Sequence, residues 1–176
     1  MPVFLLCVKA EQEGIASWGV KDDDTWCVTV QQGGGEEQKP EVFIDPSNEE
    51  EVDGTRGTFN FVCSFPGSNA KATINVLERS DTKCKSIFQK FGEDAGKWTA
   101  ENAEKWGDDG FVPIVAFEMR GCDIVDWHPK GQNFYATSEG GTRFDDVELH
   151  EDWCDYDEAN DASVQIEVPS FQVDRV

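Results

Sequence analysis

The chain is poor in positive charge, poor in histidine and free of long apolar runs. Of its 176 residues, 15 are Lys or Arg and 36 are Asp or Glu, a formal net charge of −21. A phosphate backbone or an anionic lipid surface carries the same sign and is repelled at long range. Nucleic acid and membrane are therefore not expected as partners. No apolar run approaches the roughly 18 residues of a spanning helix. The apolar start from Val3 to Val8 is cut by Lys9 and Glu11, too short for a secretory segment. A cytoplasmic location is expected. Only two histidines, His128 and His150, offer proton transfer near neutral pH. There is no Gly-x-Ser-x-Gly, Walker or dinucleotide glycine pattern, and Gly33-Gly34-Gly35 lacks the Lys and helix of a phosphate loop. No enzymatic activity is expected. The six cysteines, Cys7, Cys27, Cys63, Cys84, Cys122 and Cys154, stand singly and not in the Cys-x-x-Cys pairs of zinc sites. Read alone, they are small buried apolar groups.

The composition that remains can build a core. Aromatics make up 11% of the chain, unlike a disordered acidic tail. Val3 to Ala10, Trp26 to Val30, Val42 to Ile44, Thr58 to Phe65 and Ala72 to Leu77 are rich in β-formers. Gln31-Gln32-Gly33-Gly34-Gly35 and Pro66-Gly67-Ser68-Asn69 read as turns. After Gly110 the β pattern returns in Phe111 to Met119, Ile124 to Trp127, Phe134 to Ala136, Thr142 to Phe144 and a closing strand from Ser163 to Val168. An echo of apolar run, acid, Gly, Ile and Trp links Leu5–Trp18 to Val115–Trp127. Between the two β stretches, Ile87, Phe88, Phe91, Ala95, Trp98, Asn102 and Trp106 recur at helical spacing. The expected fold is mainly antiparallel β, two similar halves in one compact unit with a short helical insertion around 83–106. Its divisions are a β half at 1–80, an insertion at 81–110 containing aromatics and lysines, and a second β half at 111–176.

Phe117-Glu118-Met119-Arg120-Gly121, Val125-Asp126-Trp127-His128-Pro129, Gly141 to Asp146, Leu149 to Glu158 and Ser163-Val164 resemble, in order and spacing, the eukaryotic UPF0587 (DUF866) family of CXXC-motif-containing zinc-binding proteins. The resemblance is dense from about Phe111 to Phe171 and thinner before it. It implies a mainly β protein of two similar halves, with one structural zinc held by two Cys-x-x-Cys pairs. Four thiolates on two tight turns suit a tetrahedral ion. Here the matching positions are Gln32 and Gly35 in the first turn and Phe65 and Ser68 in the second, none of them cysteine. The resemblance thus implies a degenerate zinc site, its turns held by packing and Phe65 filling part of the space.

Three further readings follow from the residues. Asp152, Asp155, Asp157, Glu158 and Asp161 lack the mid-loop glycine and terminal acid of an EF-hand, so they read as a solvated loop anchored by Trp153 and Tyr156. Cys122, His128, His150 and Cys154 are the residues from which a metal site with substituted ligands could be assembled, and zinc is the alternative to no cofactor. The stripe of Phe91, Trp98 and Trp106 has two readings: a face presented to a protein partner, with Trp as anchor, or packing across the chain's own β core. By elimination of active-site motifs, the sequence predicts a non-catalytic protein-binding or structural subunit, with zinc or another metal bound through substituted ligands as the alternative.

Overall fold

The structure, a computed structural model, describes residues 2–176. Its strands, in chain order, are β1 (Val3–Lys9), β2 (Gln12–Glu13), β3 (Ile15–Val20), β4 (Trp26–Gln32), β5 (Gln38–Ile44), β6 (Phe61–Cys63), β7 (Ala72–Leu77), β8 (Lys97–Thr99), β9 (Val112–Arg120), β10 (Cys122–His128), β11 (Phe134–Ser138), β12 (Arg143–Val147), β13 (Trp153–Asp157), β14 (Ala162–Ile166) and β15 (Ser170–Arg175). Two short helices, α1 (Lys85–Phe88) and α2 (Ala100–Trp106), flank a 3₁₀ segment over Gln89–Asp94. No helix among the described residues is long and apolar enough to cross a membrane.

All strand pairs are antiparallel. A five-stranded sheet runs β15-β1-β9-β7-β6, so its centre pairs one strand from each half, with Leu5 opposite Ala116 and Leu6 opposite Val115. The strands around it correspond in pairs. β15 lies beside β1 as β7 lies beside β9, and the run β10-β4-β5 is matched by β3-β11-β12. The sequence echo falls on this relation: Trp18 in β3 donates its indole N–H to the side-chain oxygen of Gln12 at 2.8 Å, and Trp127 in β10 donates to that of Gln132 at 2.8 Å. Phe134 sits between the two indoles, 6.3 Å from Trp18 and 6.2 Å from Trp127, in edge or tilted contact.

One face of the five-stranded sheet joins the main core, with Leu6, Val8, Ile74, Phe117 and Met119 all buried. The other face is covered over part of its width by the insertion. Val3, Leu5, Cys7, Leu77 and Ala116 meet Cys84, Ile87, Phe88, Phe91 and Phe111 there. The uncovered remainder, at β6, β7 and the end of β9, is polar.

The fold differs from the sequence expectation in three places. The insertion is not purely helical, because Gly92, at φ 58°, breaks the helical run and β8 joins β3 with Trp98 opposite Trp18. The acidic stretch expected as a loop is largely strand: β13 pairs with β14 over its whole length, with half-buried Trp153 and buried Asp157 on one side and exposed Cys154 and Tyr156 on the other. The chain also does not close at the strand near Ser163. A further strand, β15, returns along β1 with Phe4 opposite Arg175.

Candidate functional site

The first of the two turns singled out by the sequence joins β4 to β5. The continuous buried run Trp26 to Val30 holds β4 in the core until Gln31 and Gln32, where the three glycines let the chain reverse, Gly34 taking φ +74°. The Gly35 N–H donates to the Gln32 carbonyl at 3.1 Å, and the Gln31 amide donates to the Gly35 carbonyl at 3.0 Å. The Gly33 N–H donates to the carbonyl of Gly121 at 3.0 Å. Gly121 itself turns β9 into β10 at φ +79°, with Ala72 of β7 packed against it. Backbone bonds thus tie the first turn to the end of β9, beside the start of β7.

The second turn spans the residues between β6 and β7. The Ser68 N–H donates to the Phe65 carbonyl at 3.2 Å, Gly67 has φ +79°, and Lys71 Nζ donates to Ser64 Oγ at 2.6 Å. Phe65 is 5% exposed and belongs to the main core. Lys39, carried by β5 from the first turn, places its ammonium 5.5 Å from the centre of the Phe65 ring, a cation–π contact across the two turns.

A zinc ion does not fit this arrangement. Gln32, Gly35, Phe65 and Ser68 supply no thiolate or imidazole, and Lys39 contributes positive charge where a dication would need anionic donors. The Gln32 side chain lies over Gly35, so close that a Cβ at Gly35 would stand 2.7 Å from its Oε1. The nearby cysteines do not compensate. Burial pushes the Cys122 thiol up to about 12, with Cys63 and Asp123 adding to it, and burial also raises Cys27 and Cys63. Among the described residues no group of three or more His, Cys, Asp or Glu side chains is placed to hold a metal.

The substituted-ligand set is not brought together. Cys122 is buried at the start of β10, whereas Cys154 and His150 are exposed. His128 Nε2 lies 2.8 Å from Thr29 Oγ1 and 4.0 Å from an Asp126 carboxylate oxygen.

The acidic cluster is likewise divided. Asp155 and Asp161 are exposed, while Asp157 is 1% exposed and fully engaged. It accepts from Ser138 Oγ at 2.6 Å, Thr142 Oγ1 at 2.7 Å and Asn160 Nδ2 at 2.8 Å. This carboxylate joins the β11–β12 turn to the β13–β14 turn. In the second half it does by hydrogen bonds what the Lys39–Phe65 contact does between the turns of the first. Bonds from Ser138 first, then Thr142, hold its carboxyl at about 2, well below the usual carboxylate range. Because the folded value is depressed, the stabilisation is present above the unfolded value of about 4 and is lost as pH falls toward about 2. Asp157→Asn is expected to flatten the fall in thermal midpoint over that window while lowering the midpoint at neutral pH. Thermal scans from about pH 6 to pH 2 check this.

The aromatic stripe points inward. Phe91 is 3% exposed among Ile87, Phe88 and Phe111, with Trp106 half-buried 6.3 Å from it. Trp98, half-buried against the main core, donates its indole N–H to the Gly110 carbonyl at 3.0 Å. Buried Asn102 closes the insertion on itself by donating to the carbonyls of Asp94 and Lys97 at 2.9 and 3.0 Å. In this fold Phe91 has no surface to offer a partner. The contacts are those of the own-core reading, because the apolar side of β1, β7 and β9 needs a cover and the stripe supplies it. What sequence reasoning missed is the polar cleft beside this cover, assembled from residues distant in the chain and marked by no local motif.

Residues 5–174 match the family model described as "CXXC motif containing zinc binding protein, eukaryotic". The mouse protein of the name CXXC motif containing zinc binding protein is 36% identical over 169 residues, covering 94% of both chains. Human Shieldin complex subunit 1 is 26% identical over 132 residues, covering 71% of this chain and 60% of the relative. The crystal structure of C1orf123 superposes with a TM-score of 0.76 at 26% identity, covering 99% of each chain. By its matched span and by this near full-length similarity, the chain belongs to the eukaryotic family of CXXC motif containing zinc binding proteins.

Proposed function

We propose that this chain is a non-catalytic, protein-binding or structural subunit in which the family's zinc site has been replaced by side-chain packing. One observation carries the reading: at the turns where the resemblance places four thiolates stand a buried phenyl ring, the Lys39 ammonium above it and a glycine turn filled by Gln32. The family name describes zinc binding, so a member with no ligand set at these turns keeps the scaffold and has to act through it. A human relative is named as a subunit of a complex, which supports membership of an assembly. The absence of any nucleophile motif in the sequence supports a non-catalytic role, and His128 is engaged with Thr29. Six unpaired cysteines suit the reducing cytoplasm.

The test is the state of the tagged chain in extract of its own cells. A stoichiometric complex heavier than the 19.7 kDa monomer, unchanged by chelator, is the expected result. A chain that stays monomeric, or whose complex falls apart with chelator, contradicts the proposal.

A further inference from the structure

The polar part of the five-stranded sheet forms the floor of a cleft of about 980 Å³, within the size range of ligand sites. Thr73 and Asn75 of β7 and Glu118 and Arg120 of β9 lie on it in register, Thr73 opposite Arg120 and Asn75 opposite Glu118. The wall is the segment from Glu50 to Thr58. Reciprocal backbone bonds of 2.8 Å between Glu50 and Phe59 pin it, and the side-chain amides of Asn48 and Asn60 each donate to the other's backbone carbonyl at 2.9 Å. The cleft is thus held open by built contacts.

Its charges are distributed unevenly. On the floor, Glu118 is closed off by Lys83 at 2.7 Å. Arg56 on the wall and Arg120 on the floor are exposed and form no ion pair among the described residues, in a chain where acids outnumber cations 36 to 15. Lys71 lines the same cleft. Beside Arg120, Thr73 is 4% exposed and its hydroxyl has no hydrogen-bond partner. Two free guanidiniums, an ammonium and an unsatisfied hydroxyl match a dianion with several acceptor oxygens better than a single carboxylate. The same wall also carries Glu50, Glu51 and Asp53, and the whole chain carries −21. A ligand drawn in by that field and seated beside those acids is cationic around its anionic centre.

We propose that the cleft docks a basic segment of a protein partner bearing one phosphorylated side chain, with the phosphate held by Arg56 and Arg120. The proposal rests on the protein-binding reading above and names its partner chemistry.

The test is fluorescence anisotropy of the full chain with a labelled Lys- and Gly-based peptide carrying one central phosphoserine, against the same peptide with serine, at fixed physiological salt. The phosphopeptide is expected to bind at least about tenfold tighter. That preference is expected to vanish in Arg56→Gln and in Arg120→Gln. Both side chains are exposed and unpaired, so both variants keep the parent's thermal midpoint. Thr73→Val is expected to weaken the phosphopeptide while leaving the midpoint equal or higher, since it deletes an unsatisfied buried hydroxyl. Equal binding of the two peptides, a preference that survives both arginine substitutions, or no binding overturns the proposal. So does displacement by inorganic phosphate at the concentration of the phosphopeptide, which identifies a small-anion site. If the cellular complex forms and is unchanged by Arg56→Gln and Arg120→Gln, the cleft proposal fails while the protein-binding reading stands.

Discussion

The quadruple variant Gln32→Cys, Gly35→Cys, Phe65→Cys and Ser68→Cys is expected to fold only weakly in chelator and to become strongly zinc-dependent. Without metal it loses the buried Phe65 ring, at a cost of about 3 kcal/mol, which in a chain of this size lowers the midpoint by roughly 6–12 °C. Two-residue spacing on two tight turns then offers four thiolates to one tetrahedral ion. The obstruction at Gly35 disappears with the Gln32 side chain that causes it, and Gly35 is not among the glycines at positive φ, so a cysteine there is unstrained. Structural zinc can return on the order of 10 kcal/mol, more than the packing lost. Calorimetric unfolding with and without zinc reads this directly. The variant's midpoint should rise well above its value in chelator, and the parent's should not move. A variant indifferent to zinc shows that the two turns do not converge as described.

The second large effect is expected in the insertion. Phe91→Ala removes a ring that is 3% exposed and shared by α1, α2 and the outer face of β1 and β9. The loss is about 3 kcal/mol or more, again a fall of roughly 6–12 °C. Trp98→Ala is expected to cost about 2 kcal/mol. Its indole is half-exposed, but it pairs across from Trp18 and caps the Gly110 carbonyl. A surface anchor behaves oppositely, weakening association while the midpoint stays in place. Chemical denaturation of both variants, with the cellular complex assayed in parallel, separates the two. Unchanged stability with lost association would show that the stripe serves a partner and not the core.

The strands of the fold were legible wherever β-branched residues alternate or run continuously, as in β1, β4, β7 and β9. The echo of Leu5–Trp18 in Val115–Trp127 corresponds to a real relation between strands that pair across the two halves. What escaped the sequence has physical causes. β8 is three residues long and is stabilised by its neighbour β3, not by its own propensity. β13 was hidden by its acids: Asp155 stays in water, and buried Asp157 is held by Ser138, Thr142 and Asn160 from distant turns. The inward turn of Phe91 could not be read from spacing, since a helical stripe has the same period whether it meets its own core or another chain. The turns of the candidate site were legible from Gly and Pro alone, whereas the Lys39–Phe65 contact between them depends on a lysine from β5 that no local motif marks. The cleft is the extreme case: Thr73 and Arg120 come together because β7 and β9 pair in that register, and Arg56 is carried by a segment pinned through the Glu50–Phe59 bonds.

We propose that side-chain packing, not an ion, joins the two turns of the first half. The most direct measurement is the metal content of the unmodified protein, purified without chelator and analysed by mass spectrometry of its elements, together with its unfolding midpoint before and after exhaustive chelation. Zinc far below one equivalent per chain and the same midpoint in both states are expected. One equivalent of zinc, removed by chelator with a large fall in midpoint, would contradict it.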